Sequence, residues 1–236
     1  MTDSTENETQ VKDPLLEEMA AAGLLFGRKK SKTNPKMKSF VFANRNGFEM
    51  FDLDKTAQKI EEAKEFLAGV AKTGKTILFV GTTPASQEVM KEVAESFKAP
   101  YVTHRWLGGT LSNFETITLR LRHFIKLKTD KASGKLEKYT KKERTKFDKE
   151  LERLQRLFGG LEELNALPAA LIVANTDAHS IAVREANVVG IPVVGITNSS
   201  TDPDGVDYII PANDNSMSSV RWIVEQLAQA LKNSSK

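Results

Sequence analysis

Cysteine is absent from the 236-residue chain, so neither structural disulfides nor thiolate metal sites are available to it. Histidine is scarce, with His104, His123 and His179 the only three. Asp177-x-His179 has the look of a ligand pair but lacks a second pair at metal spacing. It reads more simply as the polar start of a helix. No apolar stretch approaches the roughly 20 residues that cross a bilayer. The opening MTDSTENETQVKD is polar and acidic, unlike a secretory leader. G-x-S-x-G, H-E-x-x-H and G-x-G-x-x-G are all missing. The chain is therefore expected in the cytoplasm, with no membrane, no metal, no cofactor and no small-molecule substrate.

An excess of charge is also lacking. The net charge is +3 and the pI near 8.9, which alone says little about a polyanionic partner. The distribution says more. From His104 to Gly160 there are fifteen Lys and Arg against seven Asp and Glu, so this stretch carries +8 and the remainder −5. A second run, Arg28 to Arg45, holds seven cations and no acid. One such run is commonly a solvated face; two on an otherwise acidic body favour a polyanion. With 40% hydrophobic and 28% charged residues, the body itself should fold around a core.

Residues 1–13 read as a flexible tail. Pro14 starts a short helix that Gly23 stops, and the basic run follows as a loop. Phe40–Ala43 and Phe48–Leu53, separated by Asn46-Gly47, predict a two-stranded hairpin. Asp54 is the expected N-cap of a helix carrying Ile60, Ala63, Phe66, Leu67 and Val70 on one face. The apolar run Ile77–Gly81 predicts a strand buried on both faces. A helix over Pro84–Phe97 and a short strand at Tyr101–Thr103 follow. The alternation pauses at His104 and resumes with a strand at Ala170–Ala174 and a helix at Ser180–Val189. Strands at Pro192–Ile196 and Tyr208–Ile210 and a helix over Ser216–Leu231 complete it. Such order predicts an α/β, flavodoxin-like three-layer domain with a parallel central sheet. Residues 14–104 and 166–233 would form it discontinuously.

Residues 105–165 interrupt the domain with a different periodicity. Phe114, Ile117, Leu121 and Phe124 step by three and four, as do Phe147, Leu151, Leu154 and Phe158. A polar turn, Asp130–Lys135, lies between the two arms. One apolar seam on each arm predicts an antiparallel helical, coiled-coil hairpin inserted into the sheet domain.

Two features imitate enzyme chemistry. Gly69-Val70-Ala71-Lys72-Thr73-Gly74-Lys75-Thr76 matches the phosphate-loop pattern letter for letter. That mechanism needs a strand before the loop and a helix after it. Here a helix precedes and a strand follows, so the segment reads as a helix stop and tight turn. Asp202-Pro203-Asp204-Gly205-Val206-Asp207 has the composition of a tight loop rather than a magnesium site. The strand ends offer Thr82, Thr83, Ser86, Asn175, Thr176, Asp177, Asn198 and Ser199, which are polar but contain no base, nucleophile and orienter set. A flavodoxin-like enzyme for a sugar phosphate or nucleotide is the alternative reading, and a protein-binding helical-hairpin adaptor a third.

Five motifs in order resemble the bacterial small ribosomal subunit protein two family over about residues 15–232. They are Asn34-Pro35-Lys36-Met37-Lys38; Leu78-Phe79-Val80-Gly81-Thr82; and His104-Arg105-Trp106-Leu107-Gly108-Gly109-Thr110-Leu111-Ser112-Asn113. The fourth is Ala182-Val183-Arg184-Glu185-Ala186-Asn187 with Gly190-Ile191-Pro192-Val193. The fifth is Asp202–Tyr208 through Ile210-Pro211-Ala212-Asn213-Asp214. The resemblance implies a non-catalytic ribosomal component that contacts small-subunit ribosomal RNA. It also implies neighbouring small-subunit proteins as partners, and help in holding the large mRNA-binding protein S-one. Phosphate neutralisation and shape recognition would do the work. Its expected RNA-contacting residues are Lys29, Lys30, Lys36, Lys38, Arg45, Arg105, Trp106, Asn113, Arg120, Lys141, Lys142 and Arg144. Trp106 reads either as a base-stacking ring or as packing at the hairpin root. Three departures stand out. Leu25-Phe26-Gly27-Arg28 lacks histidines common in relatives, so their metal is not expected here. Thr82, Thr83 and Pro84 replace basic residues, and no long acidic tail follows the last helix.

Overall fold

The computed structural model describes residues 14–234; the expected N-terminal tail, 1–13, lies outside them. The chain opens with helix α1 (Pro14–Ala21), strand β1 (Phe26–Lys29), strand β2 (Val41–Arg45), strand β3 (Phe48–Phe51) and helix α2 (Leu53–Lys72). Then come β4 (Ile77–Val80), α3 (Gln87–Ser96), β5 (Tyr101–Val102), α4 (Phe114–Ala132) and α5 (Lys141–Phe158). The chain continues with β6 (Ala170–Ala174), α6 (Ser180–Val189), β7 (Val193–Thr197), β8 (Tyr208–Pro211) and α7 (Met217–Ser234).

Five strands form a wholly parallel sheet in the order β5-β4-β6-β7-β8. Numbered along the chain this is 2-1-3-4-5, consistent with a flavodoxin-like fold. Burial explains the near-continuous apolar runs. Alternate residues of one strand point into different cores: Ile77 and Phe79 pack with α2, α3 and α7, while Leu78 and Val80 pack with α4, α5 and α6. Every residue of β4, β6 and β7 is buried as a result.

The N-terminal basic run is more structured than a loop. Its first residues form β1, which joins the predicted hairpin to make a three-stranded antiparallel sheet, β1-β3-β2. Two 3-10 turns, Lys30–Lys32 and Pro35–Phe40, carry the chain across, the second capped by Asn34 Oδ1 accepting from the Lys36 amide at 3.0 Å. β1 lacks apolar alternation because what holds it lies far away in sequence: the Arg28 amide donates to Ser199 Oγ at 2.8 Å. Gly27 permits that approach, since a Cβ there would meet Ser199 Oγ at 2.9 Å and the Glu49 carbonyl at 3.1 Å.

Two expected helix starts move. Asp52, not Asp54, caps α2, its Oδ1 accepting from the Lys55 amide at 3.3 Å. β3 ends early enough for Leu53 to turn helical, leaving Asp54 in the first turn, where the dipole still favours it. α3 begins at Gln87 rather than Pro84, because Thr83–Ser86 closes a turn through the Ser86 amide and the Thr83 carbonyl at 2.9 Å.

Helices α4 and α5 follow the predicted seam residues. Ile117, Leu121, Phe124, Leu154 and Phe158 are buried in one cluster, with Leu127, Leu161 and Leu164 extending it. Lys131 Nζ on α4 meets Asp148 Oδ1 on α5 at 2.6 Å, and Tyr139, in the loop between the two helices, packs edge-on to Phe147 of α5 at 5.2 Å. Thr140 and Glu143 form a reciprocal capping box at the start of α5. Among the described residues no helix is long and apolar enough to cross a membrane.

Candidate nucleic-acid interface

The structure separates the expected contact residues into groups. Lys29, at the end of β1, and Arg45, at the end of β2, both stand opposite Phe48 in the sheet register. The Lys30 amide donates to the Gly47 carbonyl at 2.9 Å, which brings this residue to the same end of the sheet. All three side chains are exposed, and none pairs with a carboxylate among the described residues. Lys38 is also exposed and lies with Lys36 on the second 3-10 turn. Lys36 is already engaged: its Nζ reaches Asp202 Oδ1 at 3.1 Å and also binds Asp204. Those bonds raise its pKa, Asp204 first, yet at full exposure the ion pairs add little to stability.

A second group lies where the chain leaves β5. Arg105 and Asn113 are exposed, while Trp106 is half-buried and donates its Nε1–H to Glu185 Oε1 at 3.1 Å. Glu185, on α6, also accepts from the Gly109 amide at 2.8 Å, the Leu111 amide at 3.0 Å, and the Ser112 amide and hydroxyl, each at 3.2 Å. Burial pushes this carboxyl up, but the backbone amides and the indole outweigh it and hold the pKa below the ordinary range. One buried anion thus fixes the whole 106–112 segment. For Trp106 the geometry is packing at the root, with its polar edge committed inward. Asn113 and Arg120 line a cavity of about 320 Å³ together with Gly109 and Arg153.

Lys141, Lys142 and Arg144 form a third group, exposed in the first turn of α5. At 1.5 Å per residue they lie about 25 Å along the helix from Phe158. The expected residues therefore do not converge on one pocket. They spread over exposed patches, as suits contact with an extended polyanion.

At the strand ends, where an enzyme of this architecture would hold its ligand, several of the polar groups bond to the chain itself, and a cavity of about 320 Å³ lies beside Thr176, Arg184 and Asp202. Ser199 accepts from Arg28, and its carbonyl accepts from the Asn34 amide at 2.9 Å. Asn198 Nδ2 donates to buried Asp214 at 2.5 Å, and Arg28 lies 3.5 Å from the same carboxylate. Burial raises the Asp214 pKa against those two favourable contacts. Asn175 adopts φ +69°, and its Oδ1 accepts from the Ala178 amide at 2.9 Å. The acidic run is a turn: Asp202 Oδ1 accepts from the Asp204 amide at 3.2 Å, and Asp207 Oδ2 from the Val193 amide at 2.8 Å. The phosphate-loop lookalike is a helix end, with Lys72 closing α2 and Gly74 at φ +67° before β4 begins.

His179 ties β4 to α6. The Thr82 amide donates to Nε2 at 3.0 Å, leaving Nδ1 to donate to the Asn175 carbonyl at 2.7 Å. Burial lowers its pKa from the ordinary 6.5, against the opposing effect of the backbone hydrogen bonds. The unfolded chain therefore takes up this proton at higher pH than the native state does. Stability is full above about pH 6.5 and falls as the solution is acidified toward the lower native value. Unfolding midpoints measured from about pH 7 to about pH 5.5 should decline, and His179→Gln should flatten that decline.

The sequence reading did not single out Glu185, Arg28 or Arg153. Glu185 left one signal, being the single carboxylate in the helix SIAVREANVV. Arg28 left none, because its partners Asn215 and Asp214 lie far along the chain.

Comparison with known proteins agrees with the motif resemblance. Residues 19–234 match the family profile described as ribosomal protein S2. A protein of Roseiflexus castenholzii, named small ribosomal subunit protein uS2, is 42% identical over 209 residues, covering 89% of this chain and 80% of that protein. A protein of the same name from Dictyoglomus thermophilum is 41% identical over 217 residues, covering 92% and 88%. With the profile spanning nearly all of the fold, the chain belongs to the ribosomal protein S2 family.

Proposed function

We propose that this chain is a structural, non-catalytic constituent of the small ribosomal subunit that binds its ribosomal RNA and supports translation in the cytoplasm. The observation that carries the RNA-binding reading is the placement of exposed cations in separated patches: Lys29, Lys30 and Arg45; Arg105 and Arg120; and Lys141, Lys142 and Arg144. Dispersed cations neutralise phosphates along a folded RNA without reading its sequence. Lys36, Lys38, Asn113 and Trp106 belong to the same interface, Trp106 by shaping the loop that presents Arg105.

In this reading residues 105–165 are a coiled-coil hairpin inserted into a discontinuous α/β domain made of 14–104 and 166–233. The hairpin carries its basic end away from the sheet so that the chain bridges RNA segments. The family resemblance further implies that neighbouring small-subunit proteins, including S-one, dock beside it.

Sucrose-gradient fractionation of a native lysate at low and high salt tests the proposal. Co-migration with small subunits at low salt and release at high salt are the expected results, since each phosphate contact adds about 0.7–0.9 to the logarithmic salt slope. A chain that stays at the top of the gradient at both salt concentrations would overturn it.

A further inference from the structure

The outward face of the small antiparallel sheet combines aromatic rings with cations. In β3, Glu49 and Phe51 point inward and are buried, which turns Phe48 and Met50 to the other side. Residues directly opposite one another in antiparallel strands share a face. The register therefore places Phe26 beside Met50, and Lys29 and Arg45 on either side of Phe48. Phe26 is 53% exposed and Phe48 45%, large areas for rings in a sheet only three strands wide. Phe42, on the same edge strand as Arg45, is 78% exposed. The register puts no carboxylate on this face. Lys29 and Arg45 have no carboxylate partner among the described residues, unlike Lys36 nearby.

We infer that this face is a stacking platform for unpaired nucleotides of RNA, an inference that rests on the proposed RNA-binding role and gives it a chemical class. The rings of Phe26 and Phe48 take base faces, and Lys29 and Arg45 take the phosphates beside them. Charge complementarity selects a polyanion over an apolar protein surface, and exposed rings select single strands over duplex, whose bases are already stacked within the helix. Base–aromatic stacking tolerates sequence, so the platform discriminates paired from unpaired RNA and not one base from another.

The test uses the full chain and a labelled single strand of about twelve nucleotides, with a duplex of the same length as control, followed by fluorescence anisotropy across a salt series. Phe26→Ala/Phe48→Ala should lower single-strand affinity by about tenfold or more and leave the salt slope and duplex binding unchanged. Phe48→Leu, which keeps an apolar side chain on the sheet but removes the ring, should show the loss with an unchanged melting temperature. Lys29→Ala/Arg45→Ala should instead reduce the logarithmic salt slope for the single strand by about 1.4. Wild-type affinity in the Phe variants, or equal losses on single strand and duplex, would overturn the platform. So would unchanged RNA affinity accompanied by lost binding of a purified small-subunit protein, which would make the face a protein-docking surface. Phe variants that keep full RNA affinity and still co-sediment with subunits defeat only this inference. Failure of the wild-type chain to bind either RNA defeats the underlying role as well.

Discussion

Glu185→Ala should destabilise the folded chain by about 3 kcal/mol, because it removes the acceptor of five donors at once, the Leu111 amide fully buried and the others partly so. The carboxylate receives the Trp106 indole, the amides of Gly109, Leu111 and Ser112, and the Ser112 hydroxyl. Hydrogen bonds to a charged acceptor contribute about 1.5–3 kcal/mol each, but they are not additive and water will rescue some donors. Glu185→Gln separates charge from shape. Its amide would turn two N–H bonds toward groups that already donate, so it should lose about 1–3 kcal/mol rather than recover the wild type. Denaturant midpoints of the three proteins order the effects; equal stability of wild type and alanine variant would mean that the 106–112 segment is held by other contacts. Acid gives an independent check. Because the native carboxyl titrates below its ordinary 4.5, its contribution is complete above that pH and disappears as pH falls through the lower native value. The alanine variant should lack that part of the acid sensitivity.

Phe124→Ala should cost about 3–5 kcal/mol, the range for deleting a fully buried ring that its surroundings cannot replace. Phe124, on α4, has no exposed surface and shares the second core with Leu154 and Phe158 of α5. That core also contains Leu78, Val80, Leu171 and Val173 from the parallel sheet, so α4 is packed into the body of the protein. The variant should therefore lower the single unfolding midpoint of the whole chain. A loss confined to helical signal, with the sheet domain melting where it did before, would show instead that α4 and α5 unfold independently. Phe124→Leu, which conserves most of the volume, should recover more than half of the loss.

The parallel sheet was legible because its strands are buried on both faces and so leave continuous apolar runs such as ILFV and ALIVA. The bounds of α6 were legible for a local reason: Gly190, at φ +77°, supplies the left-handed residue that ends it. β1 was not, because FGRK has neither alternation nor turn chemistry and is held by Ser199, 171 residues away. The shift from Asp54 to Asp52 came from a choice between two good caps one residue apart, on either side of Leu53, decided by where β3 stops. Among the candidate contact residues, exposure of the cations followed from charge patterning, but the occupation of Lys36 by Asp202 and Asp204 did not. Glu185 lay in a recognised motif, yet its role depends on donors 73 to 79 residues earlier, which no periodicity reports. The exposed rings of Phe26 and Phe48 were equally hidden, since Phe26 fell outside any expected strand and Phe48 looked like an ordinary strand residue until the register showed which face was free.

The closure of β1 onto Ser199 has a consequence for synthesis. The segment from Arg28 to Lys36 leaves the translating ribosome well before Ser199, Asp202, Asp204 and Asp214, to which it is fastened and which are made more than 160 residues later. At the usual 5–20 residues per second the intervening 171 residues take roughly 10 to 35 s to translate. Throughout that interval the seven cations between Arg28 and Arg45 have none of these late partners. A nascent chain of this design emerges with this basic stretch unsheltered, and only the synthesis of residues 199–214 supplies the groups that fasten it.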